Sequence, residues 1–157
     1  MSTLAVGLLV AATAADGILA GASLDQSIKQ LPARHRMGVI AFSVYSRASD
    51  LGPGIIWYAT LGIGAALLTI AAAIAAFFQS AAPMHAWPIS IAAGLAVLHS
   101  FTTSRAAPTN FKQRKVTSDE AALTAIFNHF ERWQTARVVL QVGAFAAVLW
   151  ALITYIS

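Results

Sequence analysis

The sequence contains no cysteine, which excludes disulfide bonds, thiolate metal sites, iron–sulfur clusters and cysteine nucleophiles. Charged side chains are also scarce, at 10% of the 157 residues, whereas 58% of the residues are hydrophobic and the mean hydropathy is +0.69. A typical soluble domain carries about 25% charged residues. The composition therefore indicates an integral membrane protein, with room for about four spans of roughly 20 residues each and for no separate soluble domain.

Four apolar runs have the length and hydropathy that membrane-spanning helices require. They predict an all-α fold, an integral membrane four-helix bundle that forms one domain over residues 1–157. The predicted spans are residues 4–24, 55–78, 87–104 and 133–155. Because Ser118, Asp119 and Glu120 form a helix-start signal well before residue 133, the fourth helix is predicted to be extended at its beginning.

The connection between the first two spans has a pattern of its own. Residues 36–51 alternate apolar and polar side chains at helical spacing, which predicts an amphipathic helix lying along the membrane surface or folded back under the bundle. Pro32 and residues 51–54, which read Leu-Gly-Pro-Gly, are predicted to make the turns at its two ends.

Basic residues are confined to two parts of the chain. All ten Lys and Arg residues lie in residues 25–53 and 102–137, and none lies in the N-terminal tail, residues 79–87 or the C-terminal end. The positive-inside rule then places both connections in the cytoplasm and both termini outside the plasma (inner) membrane. Since the same arrangement accounts for the pI near 10.0, the expected partners are membrane lipids, and nucleic acid is not expected.

Asp16 is the one acidic residue inside a predicted span, and burying such a group costs about 2.5–3.5 kcal/mol on insertion scales. Charges at that depth usually serve a function or bond a neighbouring helix. Gly17 and Gly21 beside it make a small-xxx-small pattern, which fits packing inside one bundle and packing in a homo-oligomer equally well.

The fourth helix carries a polar stripe where it enters the apolar run. His129, Trp133, Arg137 and Gln141 are spaced four apart and so share one helix face. A face this polar is predicted to point into the bundle. At about 1.5 Å per residue, Asp16 and Gln141 both lie about 12 Å from the cytoplasmic side, so we expect them at one level.

Other polar and amphipathic side chains also lie toward the predicted cytoplasmic half. They are His99, the one histidine inside a predicted span, and the adjacent pair Trp57 and Tyr58, whose ordinary role would be to anchor the helix at the interface. The outer half is almost purely apolar. This asymmetry indicates a pocket that opens to the cytoplasmic leaflet, because a continuous pore would need polar lining at both ends.

Two motifs resemble those of a known family. Pro108-Thr109-Asn110 after the third span, followed by Trp133, Gln134 and Arg137 at the fourth, is similar to the small four-helix membrane proteins of the anthrone-oxygenase-like family, most of which have no assigned function. The sharpest part of the resemblance covers residues 108–137, and Gln134 stands where the family often has Asn. The resemblance implies cofactor-free oxygenation of a polycyclic phenolic anthrone to a quinone.

Such a reaction needs a base for an acidic C–H proton, groups that hold the resulting enolate, and an apolar pocket that admits dioxygen. On this hypothesis the base is His99 or Asp16. Arg137 holds the anion together with Asn110 and Gln141. The aromatic walls of the substrate pocket are Trp133, Trp57 and Tyr58. No metal site and no cofactor are expected, and the partner is a hydrophobic small molecule.

Other interpretations remain open. A haem protein would place facing histidines such as His99 and His129 as axial ligands, although the sequence has no HxxxH or HxxE spacing. A non-enzymatic scaffold, lipid-binding protein or partner subunit would fit the many alanines and glycines of the spans. Arg137 would in that case pair with Asp16 or His99 only to lock the bundle.

Overall fold

The computed structural model of the protein describes residues 3–78 and 83–156. The structure is 93% helical, and no strand occurs in these ranges. Four of its helical segments are long and apolar enough to cross a membrane, so the predicted all-α bundle is confirmed. The helices are α1 Thr3–Asp25, α2 Leu31–Met37, α3 Val39–Ala48, α4 Gly54–Phe78, α5 Pro83–Phe111 and α6 Glu120–Ile156.

The first helix continues beyond its predicted span. A π-helical segment, Gln26–Gln30, joins α1 directly to α2, and Pro32 lies in the first turn of α2. The prediction that Pro32 marks a turn is therefore wrong, since proline fits the start of a helix, where its missing N–H costs little. The chain turns instead at Gly38, whose φ of 83° suits glycine because it has no Cβ.

The predicted amphipathic helix between the first two spans is present as α3. Its buried face carries Phe42, Ser43 and Ser46, whereas Val44 and Tyr45 are exposed. The Phe42 ring meets the Phe127 ring of α6 edge to face, with centroids 5.0 Å apart. This contact seats α3 against one end of the bundle, which we call the α3 end.

The connection between α5 and α6 is shorter than the sequence suggests. α5 extends past the predicted span limit at residue 104 to Phe111 and continues as a 3-10 turn, Lys112–Lys115. α6 begins at Glu120, as predicted, and Asp119 Oδ1 accepts a hydrogen bond of 2.9 Å from the backbone N of Ala122, which is an N-cap. The extended fourth helix is thus confirmed.

The four long helices form a ring in which each packs on two neighbours. α1 contacts α4 and α6, and α5 contacts the same two helices. Their facing sides carry mainly small side chains that allow close approach; those buried in the core cluster include Ala12, Ala72, Ala92, Ala147 and Ala151.

Polar contacts connect α1 and α2 to α6 toward the α3 end. Gln134 of α6 is fully buried, and its Nε2 donates to the Ser23 backbone oxygen and to Ser27 Oγ, both at 3.3 Å. Farther along, buried Arg34 of α2 forms an ion pair with Glu131 of α6. These contacts hold the segment from α1 to α2 against α6.

Candidate functional site

A cavity of about 380 Å³ lies among α1, α4, α5 and α6 toward the α3 end. Most of its wall is apolar and comes from residues such as Leu19, Leu51, Ile55, Ile63 and Phe111. Nitrogen- and oxygen-bearing side chains from five segments interrupt this wall. We call it the central cavity.

Arg137 reaches the central cavity from α6. The residue is only 9% exposed, and its Nε makes no hydrogen bond to any described residue. Within the same part of the chain, no carboxylate lies at ion-pair distance from its guanidinium group. Burying a cation without a partner costs folding free energy. The position of Arg137 is therefore better explained by ligand binding or another function than by stability.

His99 lines the same cavity from α5. It is 3% exposed, and its Nε2 has no hydrogen-bond partner in the described residues. The Arg137 guanidinium lies close enough for its charge to act on the imidazole. Two residues that line one cavity thus each have a buried nitrogen without a partner among the described residues.

Asn110 and Tyr58 are the other predicted site residues in the cavity wall. Gln113 Nε2 donates to Asn110 Oδ1 over 2.5 Å, which leaves the Asn110 Nδ2 donor for the cavity. The half-buried Tyr58 of α4 lies within electrostatic range of Arg137. The structure thus places four predicted site residues around the central cavity: Tyr58, His99, Asn110 and Arg137. The first and the last of them are 79 positions apart in the sequence.

Gln113 is a residue that sequence reasoning missed. It is fully buried, accepts from Ser43 Oγ over 3.1 Å and donates to Ser46 Oγ over 3.2 Å. Its only sequence signal is a single amide inside the basic run Lys112–Lys115. Gln113 joins α3 to α5 and thereby fixes the orientation of the Asn110 amide.

Asp50 and Gln26 also line the cavity, and neither was predicted as a site residue. Ser46 Oγ donates to Asp50 Oδ2 over 3.0 Å, and the Gln26 side chain is a further donor to this carboxylate. Burial raises the pKa of Asp50, and these two hydrogen bonds act in the opposite direction. The cavity therefore has a carboxylate on one wall in addition to its nitrogen groups.

Asp16 lies outside the cavity lining, in the packed core, where it is 1% exposed. Thr69 Oγ1 donates to its Oδ2 over 2.6 Å, and Gln141 Nε2 donates to its Oδ1 over 2.9 Å. Asp16 and Gln141 are thus at the same level, as the rise per residue predicts. Both carboxylate oxygens are occupied by protein donors.

The two tryptophans of the predicted site do not line the central cavity. Trp57 is 55% exposed on the outer side of α4. Trp133 is half-buried beside a separate groove between α5 and α6, where its Nε1 donates to His129 Nε2 over 3.3 Å. The polar stripe of α6 therefore points into the bundle at Arg137 and Gln141 and away from it at His129.

The haem hypothesis relied on His99 and His129, which line different cavities. Over residues 3–78 and 83–156, the structure brings together no group of three or more His, Asp or Glu side chains suited to a metal ion.

Comparison with known proteins returned no matching family model, no significantly similar curated protein and no significantly similar solved structure. The resemblance to anthrone-oxygenase-like proteins therefore stays a prediction.

Proposed function

We propose that the protein binds a hydrophobic, acidic small molecule, such as a polycyclic phenol or an enolisable aromatic ketone, in the central cavity. The observation that carries this proposal is that His99 and Arg137 line one cavity, while His99 Nε2 and Arg137 Nε are buried without a partner among the described residues. An anionic ligand oxygen would accept from Arg137, and an acidic hydrogen of the ligand would meet His99.

The shape and lining of the cavity support a small aromatic ligand. Its volume of about 380 Å³ falls within the roughly 300–1,000 Å³ that small-molecule sites occupy. Apolar side chains from four helices surround a few polar groups, which is the usual composition of such sites. The Asn110 Nδ2 donor offers a second hydrogen bond to a ligand oxygen.

The same arrangement supports the oxygenation that the family resemblance implies. His99 would take a proton from an acidic CH₂ group, and Arg137 with Asn110 would hold the enolate oxygen that results. Dioxygen would then react at the carbanion carbon. One of its oxygen atoms becomes the new carbonyl, and the other leaves as water with the two hydrogens of the original CH₂. In this proposal Asp16 is a structural residue, because Thr69 and Gln141 occupy its oxygens.

Binding and chemistry can be measured on the same sample. The purified protein in mild detergent is dialysed against a dihydroxyanthrone under argon, and dioxygen is then admitted while quinone absorbance is recorded against a protein-free control. We expect Arg137→Met to weaken retention by about tenfold or more, because a hydrogen bond to a charged group contributes about 1.5–3 kcal/mol. Arg36→Met is the matched control, since Arg36 is exposed and lies outside the cavity.

His99→Gln separates the two parts of the proposal. Glutamine can hydrogen-bond a ligand but does not act as a base near neutral pH, so we expect retained binding and lost quinone formation. His35→Gln, at an exposed position, should change neither. Unchanged retention in an Arg137→Met protein with a native helical circular dichroism spectrum would refute the binding site. Retained binding without quinone formation in the wild-type protein would refute only the oxygenase chemistry.

A further inference from the structure

A second recess lies on the outside of the bundle, between α5 and α6. This α5–α6 groove has a volume of about 520 Å³. Its lining includes Phe101, Arg105 and Thr109 of α5 together with His129 and Trp133 of α6. Ser104 lines both this groove and the central cavity, but the other groove residues do not line the central cavity, so the groove requires its own explanation.

The groove lies at the predicted membrane boundary of both helices. The third span is predicted to end at residue 104 and the fourth to begin at residue 133, and the groove residues flank these two positions. Phe101, on the apolar side, is 52% exposed. Arg105 and His129, both exposed, lie one turn farther toward the α3 end of their helices. An apolar surface thus passes into a basic one within a single groove.

Arg105 is held in position and is free to bind an anion. Its guanidinium carbon lies 5.2 Å from the centroid of the Phe101 ring, a cation–π distance. In the part of the chain that the structure describes, no carboxylate lies at ion-pair distance from it. Guanidinium N–H groups match the oxygens of a phosphate.

His129 adds a second donor on the opposite wall of the groove. Its Nε2 accepts the hydrogen bond from Trp133 Nε1 over 3.3 Å. A neutral imidazole that accepts at Nε2 carries its proton on Nδ1, so an N–H donor remains for a ligand. The same hydrogen bond fixes the Trp133 indole, an amphipathic ring suited to the membrane interface.

We infer that the α5–α6 groove binds the headgroup of an anionic phospholipid. The phosphodiester would accept from Arg105 and His129, and the glycerol and the first acyl carbons would cover Phe101 and Trp133. A free phosphate would use only the basic half of the groove and leave the exposed Phe101 ring uncovered. The inference does not depend on what the central cavity binds.

Native mass spectrometry of the detergent-purified protein tests this inference. Phosphatidylglycerol and phosphatidylcholine with identical acyl chains are added in equal amounts, and the retained lipid is counted for each variant. We expect the wild type to favour phosphatidylglycerol, because Arg105 in the groove would repel the choline ammonium group that phosphatidylcholine carries next to the same phosphodiester. Arg105→Gln should therefore reduce that preference about fivefold. Arg132→Gln is the matched control, because Arg132 is an exposed arginine at the same edge but outside the groove lining.

Additional variants and a soluble probe make the result decisive. Arg105→Lys keeps the charge and should keep most of the preference, which a general loss of structure would not allow. Arg137→Met should leave the preference unchanged. Glycerol 1-phosphate, which lacks acyl chains, should not displace the lipid. Equal retention of the two lipids by the wild type, equal losses in Arg105→Gln and Arg132→Gln, or displacement by glycerol 1-phosphate would each overturn the inference.

Discussion

Gln141 of α6 donates a hydrogen bond from its Nε2 to Oδ1 of Asp16 in α1, across 2.9 Å of the bundle core. Thr69 of α4 donates to the other carboxylate oxygen over 2.6 Å. Three of the four long helices are thereby joined at one level. In an apolar environment such a bond also sets helix register, because no water is present to replace it.

Truncating Asp16 should destabilise the bundle. Asp16→Ala removes both acceptors and leaves the Thr69 hydroxyl and the Gln141 amide without their carboxylate, which costs about 1–3 kcal/mol for each unsatisfied group. Asp16→Asn keeps one acceptor for Gln141 and should cost less. Thr13→Ala, which removes only a bond to the Leu9 carbonyl of the same helix, is the control. Thermal unfolding in detergent that gives one midpoint for all three variants would contradict this assignment.

Replacing Arg137 should stabilise the bundle, in contrast to replacing Asp16. Because its Nε is buried without a partner, Arg137→Met replaces an unfavourable buried charge with an apolar side chain of similar length, and the midpoint of thermal unfolding should rise in the absence of ligand. The alternative, in which Arg137 locks the bundle, requires a fall. Arg36→Met, at an exposed position, should move the midpoint little and shows the effect of the substitution itself.

The helices and the common level of Asp16 and Gln141 were predictable from sequence, because both follow from regular helix geometry. The rise per residue alone brought Asp16 and Gln141 to one level. Helix phase was harder to predict, since an error of one residue rotates a side chain by about 100°. Trp57 and Trp133, predicted as pocket walls, lie outside the central cavity for this reason.

Contacts between residues far apart in the chain were the second feature that the sequence did not predict. Gln113 bonds to Ser43 and Ser46, about 70 positions earlier in the chain, and no local pattern marks such a pairing. The helical chain continues from α1 to Pro32 through the π-helical segment Gln26–Gln30. This segment has no clear sequence signal. Ser46 connects this network to Asp50, which lines the cavity and was not predicted as a site residue.

Stability should depend on pH through Asp50. Because burial raises its pKa above the ordinary value of 3.8, against the hydrogen bonds from Ser46 and Gln26, the folded protein binds this proton more tightly than the unfolded chain does. The free energy of unfolding therefore falls as pH rises from about 4 through the raised pKa, and it then levels off. Asp50→Asn should remove this contribution. The unfolding midpoint of Asp50→Asn, measured relative to that of the wild type, should therefore increase as the pH rises. A difference between the two midpoints that does not change with pH would contradict the prediction.

The absence of cysteine allows the predicted orientation to be tested by single substitutions. Thr3→Cys and Ser118→Cys both fall at exposed positions, on opposite sides of the membrane if both termini are outside. In right-side-out membrane vesicles, a membrane-impermeant maleimide should label Thr3→Cys directly and Ser118→Cys only after permeabilisation. The reverse labelling pattern would show that both termini lie in the cytoplasm.

The most direct test of the central claim is the ¹H–¹⁵N signal of the Arg137 Nε–H group, assigned by its loss in Arg137→Met. A stable phenolic probe, a dihydroxyanthraquinone, is titrated into the wild-type protein in detergent micelles. Our account predicts that this signal shifts as the guanidinium group binds the probe, with the same midpoint as probe binding, and that the signal of exposed Arg36 stays in place. A bound probe that leaves the Arg137 signal unmoved, or a signal already shifted by a protein partner in the empty protein, would contradict the account.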